Sequence, residues 1–136
     1  MSYTISLPYP VSANRYWRSF VPKGWGRAVV TLSPEAKAYK EAAGWAAKSA
    51  GVRTPMAGYI ELAIVLHPKQ PKKMKNPDEV RCIDLDNCIK VTLDALNGVA
   101  YADDAQVRRI VAERGQPSGD GVLVIKISEL LPEVLR

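Results

Sequence analysis

The sequence predicts an α+β fold, a single domain over residues 1–136 in which two main helices pack on a mixed sheet in the order β-β-α-β-α-β-β. Three observations predict it. Short runs rich in β-branched and aromatic residues recur along the chain as strands do. Two longer segments carry helix signals, one an Ala-rich stretch and one an apolar stripe at helical spacing. Pro and Gly fall between these segments as punctuation, so nothing divides the 136 residues into two domains.

Taken in order, Tyr3-Thr4-Ile5-Ser6-Leu7 alternates as a strand and is stopped by Pro8 and Pro10. Val11 to Trp25 reads as a long loop, and Ala28 to Leu32 as a second strand. Ser33 followed by Pro34 and Glu35 is a helix start, with a capping hydroxyl and then proline at the first helical position. That helix is expected to reach about Ala50 and stop at Gly51. Tyr59 to His67 is a mostly buried strand ended by Pro68, and Lys69 to Arg81 is a basic loop. A second helix starts near Asp84 or Asp86, with Leu85, Ile89, Leu93 and Leu96 on one face, and Asn97-Gly98 closes it. Val107 to Ala112 and Val122 to Ile127 are two strands joined by a turn at Gly115 to Gly121, and Glu129 to Arg136 is a helical turn or an arm.

Composition excludes some classes of function. An apolar fraction of 47% and a charged fraction of 24% are ordinary globular usage, which argues against wholesale disorder. No apolar run approaches the roughly 20 residues of a membrane span. Met1 to Pro10 lacks a basic n-region and is broken by prolines, against a secretory signal. Cys82 and Cys88 form no disulfide framework and suit reduced thiols in the cytoplasm. The net charge of +5 and pI near 9.3 favour a polyanionic partner, nucleic acid first. No phosphate-binding glycine motif is present, so a nucleotide cofactor has no support. His67 with Cys82 and Cys88 lacks a fourth ligand and a standard finger spacing, so zinc has little support either.

The chemistry concentrates in Asp84-Leu85-Asp86-Asn87, then Lys90, Asp94 and Asp103-Asp104. Carboxylates gathered in an otherwise basic chain repel one another, and a divalent cation relieves that repulsion. Residues two apart on a helix point about 200° apart. Asp84 and Asp86 therefore converge only if the chain there is extended, with Asp86 as the N-cap. Lys90 then lies one turn beyond Asp86 on the same face. Hard oxygen donors suit Mg²⁺, or Mn²⁺ in its place, which activates a water and offsets charge on a phosphate, while a lysine adds positive charge nearby. The structural alternative weighs about equally on spacing alone: a helix cap, its i+4 partner and a turn. The segment from Asn14 through Arg15, Tyr16 and Arg18 to Trp25 interleaves aromatic and basic residues, as surfaces that hold phosphates and stack on unpaired bases do. Lys69, Lys72, Lys73, Lys75 and Arg81 lead directly into the acidic cluster. The first segment also reads as a loop that packs its aromatics on the core and leaves its charges solvated, and the second as a solvated charged loop.

These residues together resemble the RusA family of Holliday-junction resolvases. Leu7-Pro8-Tyr9-Pro10 with Ser12-Ala13-Asn14-Arg15-Tyr16-Trp17-Arg18 is similar to the family's opening. Asp84-Leu85-Asp86-Asn87-Cys88-Ile89-Lys90 and Asp94-Ala95-Leu96-Asn97-Gly98 are similar to its signature helix, and Asp103-Asp104-Ala105-Gln106-Val107 to its acidic turn. The resemblance implies Asp84, Asp86 and Asp104 as catalytic metal-holding aspartates, Lys90 as the functional lysine, and Asp103 as an accessory. It also implies Mg²⁺-dependent nicking of four-way DNA junctions by a homodimer. The longer basic loop and Ile83, where some relatives carry a basic residue, depart from the pattern and bear on junction selectivity. The rival reading is a basic DNA-binding recombination accessory protein without catalysis.

Overall fold

The computed structural model describes residues 1–73, 76 and 79–131. The chain runs β1 (Ser2–Pro8), α1 (Ala13–Tyr16), β2 (Trp17–Phe20), β3 (Val29–Leu32), α2 (Pro34–Ser49), β4 (Ile60–His67), α3 (Leu85–Leu96), a 3-10 turn (Asp104–Gln106), β5 (Val107–Arg114) and β6 (Val122–Glu129). Two helices over a mixed sheet make this the expected α+β fold.

Four strands form the main sheet in the order β1-β6-β4-β5. The β1–β6 and β6–β4 pairs are antiparallel, and β4–β5 is parallel. The register places Ile5, Ile125 and Ile64 in one row across three strands, and Leu7, Leu123 and Leu66 in another. Both rows are buried, because β4 alternates strictly and turns Ile60, Leu62, Ile64 and Leu66 to one side. Each such side chain contributes about 1.5–3 kcal/mol on leaving water.

The helices cover that side of the sheet. Helix α2 buries Ala36, Tyr39, Ala43 and Ala47, a narrow stripe of mostly small residues that lets it sit close. Helix α3 buries Cys88, Val91, Thr92, Ala95 and Leu96. The start of α2 is as expected: Ser33 Oγ accepts from Ala36 N at 3.1 Å, with Pro34 in the first turn. Gly98, at φ +78°, takes the left-handed position after α3. Asn97 stays extended and does not share it.

Two expectations are corrected. The Val11–Trp25 segment is not one loop, since it contains α1 and β2, and β2 pairs with β3 as a separate hairpin. Elements of four residues are too short to show a period. The last two strands are not neighbours either. The 115–121 connection carries the chain past β4, which lies between β5 and β6 and so finds a partner on each side. The tail beyond Leu131 lies outside the described residues.

Candidate active site

Helix α3 sets the site. Asp84, not Asp86, is its N-cap, with an extended backbone at φ −65° and ψ 147°. Leu85 is already helical, so the extended Asp84–Asp86 geometry expected above does not form. Leu85 packs against the core, and helix can begin there because the Asp84 carbonyl accepts from Cys88 N at 3.0 Å. The Asp84 side chain makes no cap hydrogen bond. Asp86 lies in the first turn, where the positive end of the helix favours a carboxylate. Asp86, Lys90 and Asp94 follow at intervals of four, one stripe along the helix, and Asn97 continues it. Asp84, Asp86 and Lys90 are all exposed.

The second part is the turn that carries Asp103 and Asp104. Asp103 and Gln106 form a reciprocal cap there. Gln106 Oε1 accepts from Ala102 N at 2.8 Å and Asp103 N at 2.9 Å, and its Nε2 donates to the carbonyls of Met56 and Gly58, both at 2.8 Å. Nearby, buried Tyr101 donates its hydroxyl to Leu93 O on α3 at 2.7 Å. The turn is thereby held to the C-terminal half of α3. The same end of α3 is held from α2, where Lys40 Nζ donates to the carbonyls of Asp94 at 2.6 Å and Asn97 at 3.2 Å. A cation there also meets the negative end of the helix.

Electrostatics show which acids share a field. The Asp104 carboxyl is raised above the usual carboxylate range, first by desolvation and then by the charges of Asp103 and Asp94. The Asn97 side chain beside it pulls the other way. Asp104 therefore stands in the field of Asp94, on the α3 stripe. Among the described residues, however, no three Asp, Glu, His or Cys side chains stand close enough to form a metal cage. Asp84, Asp86 and Asp104 are thus not gathered as one closed ligand set. The exposed carboxylates of Asp84, Asp86 and Asp104 are hard oxygen donors, the type that Mg²⁺ takes one or two at a time with waters and substrate phosphate oxygens. His67 is occupied structurally, with Nδ1 2.9 Å from the Gln116 carbonyl.

The expected DNA-contacting residues divide. Asn14, Arg15 and Arg18 are exposed on α1 and β2, and Lys69, Lys72, Lys73 and Arg81 are exposed on the approach to α3. Lys75 lies outside the described residues. Tyr16 does not belong with them: it is fully buried, and its hydroxyl donates to Asp94 Oδ2. Its pairing with a core helix explains the difference, since a ring closed into the core has no face for a base. Phe20 and Trp25, by contrast, are about half exposed. Sequence reasoning passed over Gln106, Lys40 and Tyr101 as supports of the site. Only Gln106 had a signal, the Asp103-x-x-Gln106 capping spacing.

A small α+β chain with an acid–lysine helix opposite an acidic turn, flanked by exposed cations, has the parts of a phosphodiester-cleaving protein. Residues 8–128 match the family described as endodeoxyribonuclease RusA. The crossover junction endodeoxyribonuclease RusA of Escherichia coli strain K12 is 31% identical over 130 residues, 95% of this chain and 96% of its own length. The proteins of the same name from Shigella sonnei strain Ss046 and Enterobacteria phage 82 are 31% and 30% identical over the same span. The chain belongs to the RusA endodeoxyribonuclease family, a family of nuclease enzymes. No helix among the described residues is long and apolar enough to cross a membrane.

Proposed function

We propose that residues 1–136 form one endonuclease domain that nicks four-way DNA junctions, acting as a cytoplasmic homodimer with a divalent metal, Mg²⁺ or Mn²⁺, in recombination and repair. The observation that carries this reading is the Asp86–Lys90–Asp94 stripe with Asp104 in its field, in a chain of this family. Asp84, Asp86 and Asp104 are the residues that would hold the ion. When bound, such an ion supplies positive charge that acidifies a water and offsets charge at phosphorus. Lys90, one turn from Asp86, places a cation beside the phosphate oxygens as charge develops there. Asp103 holds the turn through its bond from Ala105 N at 3.1 Å and so positions Asp104. Asn14, Arg15, Arg18, Lys69, Lys72, Lys73 and Arg81 contact the DNA backbone. Two copies related by a two-fold axis match a junction's paired strands.

The test is a gel assay with a synthetic four-way junction and a matched linear duplex, with Mg²⁺ or with chelator. Metal-dependent paired nicks in the junction are expected. Absence of nicking under every metal tried overturns the proposal. Asp86→Asn is expected to bind the junction without cutting it. Equal cutting by that variant would remove the site assignment.

A further inference from the structure

We infer that the hollow beside the start of α3 receives one unstacked nucleobase of the DNA strand whose phosphate lies at Asp84. The inference rests on the junction-nuclease reading above and gives its site a second, base-holding part.

The hollow has a volume of about 440 Å³ and is lined by Tyr9, Lys69, Arg81, Cys82, Ile83 and Asp120. That is the size range of small-ligand pockets, roughly 300–1,000 Å³, with mainly apolar walls and a few polar groups. Here the walls are an aromatic ring, an isoleucine, a thiol and two cationic side chains with long aliphatic stems. A base has a π-face that such walls accept whatever its identity. Lys69 and Arg81 make no ion pair among the described residues, and their charges are matched by the phosphates flanking a captured base. Asp120, the one carboxylate on the wall, repels phosphate but accepts from a base N–H.

The hollow is built rather than incidental. Tyr9 is fixed at both ends: its hydroxyl accepts from Ile83 N at 2.8 Å, and its ring lies against Gly121, where an added Cβ would stand 2.8 Å from a ring carbon. Gly121 has φ +89°, so the close approach and the backbone both require glycine. The Lys69 wall is tied to the Asp120 wall through Gln70 N to Gly119 O at 2.9 Å. Arg114 donates to the Val80 carbonyl and anchors the approach to α3.

Position selects the occupant. Cys82 and Ile83 line the wall, and Asp84 is the next residue, its Cα about 3.8 Å from that of Ile83. Phosphate and base are joined through one sugar, so a strand whose phosphate is held at Asp84 has an adjacent base within reach of this opening. A base at an opened strand crossover has lost a stacking neighbour, which lowers the cost of drawing it out.

The experiment places 2-aminopurine at successive positions around the crossover of a four-way junction and saturates it in Mg²⁺ with the Asp86→Asn protein, which binds without cutting. One position is expected to brighten several-fold with the hollow intact and to stay dark when Cys82→Phe is added, which fills the hollow. That variant should bind the junction about tenfold more weakly, the scale of one lost base stack. No brightened position, or brightening that survives Cys82→Phe, overturns the inference. If Cys82→Phe does not fold, alkylation of the wild-type protein decides. Junction should protect Cys82 from iodoacetamide at least about tenfold, against Cys88 as the buried internal control. Unchanged Cys82 labelling overturns the inference. A protein that neither binds nor nicks the junction removes the nuclease reading as well, whereas nicking without base capture removes only this inference.

Discussion

Tyr16 donates its hydroxyl to Oδ2 of Asp94 across 78 residues of sequence, and so fastens the four-residue helix α1 to the acid-bearing helix α3. Ser33 Oγ extends the tie, donating to the Arg15 carbonyl at 2.6 Å while it caps α2. The segment that looks like an aromatic binding loop in the sequence is thus partly scaffold. Tyr16 holds, and its neighbour Arg15 is left on the surface. Burial, and secondarily Asp94, push the Tyr16 hydroxyl far above its ordinary range, so it remains a donor at every working pH.

Tyr16→Phe keeps the ring and removes that bond. A lost hydrogen bond to a charged acceptor costs about 1–3 kcal/mol. The variant should unfold at lower denaturant concentration by that amount, while its junction affinity stays within about twofold of wild type. Binding that collapses with stability unchanged would instead place Tyr16 at the DNA.

Asp104 gives a pH-dependent prediction. Its folded pKa lies above its unfolded value of about 3.9, so the folded protein holds this proton more tightly than the unfolded chain. Stability from this group therefore falls as pH rises between the two values, and the full penalty is present above the folded one. Asp104→Asn should melt about 1–2 °C higher than wild type at pH 7, a small gain because the group is exposed and screened. The gain should vanish below about pH 4, and cleavage should be lost throughout. A thermal melt series across pH checks this, and an advantage that grows toward low pH contradicts it.

Long periodic elements were legible because burial imposes their period. Alternation over β4 and the Ser33-Pro34 start of α2 are printed in the sequence, and so is the helix α3, but its buried face is Cys88, Val91, Thr92, Ala95 and Leu96, with the expected Leu85, Ile89 and Leu93 only partly buried at its margin. Pairing was not. Nothing in the apolar run of β6 says that it joins β1 and β4, which takes long-range register to decide. At the site, the acids and Lys90 were legible as types at a spacing, but the start of α3 moved the cap to Asp84, a one-turn detail that spacing leaves open. The supports of the acids were the least visible. Lys40 reaches α3 from a helix more than 50 residues away, a relation that only packing creates.

Salt dependence should separate the surface cations from Lys90. Each Lys or Arg that neutralises a phosphate contributes close to one counterion to the slope of log K against log salt. Arg15→Ala, Lys69→Ala and Arg81→Ala should each weaken junction binding and reduce that slope by about 0.9. Lys90→Met should instead lower the single-turnover cleavage rate by about 10²-fold or more, with a smaller effect on affinity. Titrations at several salt concentrations, paired with single-turnover nicking, distinguish the two roles. A slope unchanged in all three surface variants would remove these loops from the DNA contact.

Gln106 touches no proposed reacting atom, yet its loss should disable the site. Its amide joins four backbone groups: it accepts from Ala102 and Asp103 and donates to Met56 and Gly58. Gln106→Ala removes all four bonds and frees the turn that carries Asp104. The stability cost should be about 1–3 kcal/mol, since these groups are partly solvated and water replaces some of the bonds. The informative readout is kinetic. A positioning residue predicts a fall in single-turnover rate of about tenfold or more while KM changes little, because the cationic surfaces that bind DNA are untouched. Gln106→Glu keeps the acceptor toward Ala102 and Asp103, so it retains the cap on the turn. It loses the donors toward Met56 and Gly58 and adds a like charge near Asp103 and Asp104. It should recover part of the turn's stability and less of the rate, with the shortfall growing as pH rises through the carboxylate range. Equal, full activity in both variants would show that the acidic turn needs no such brace.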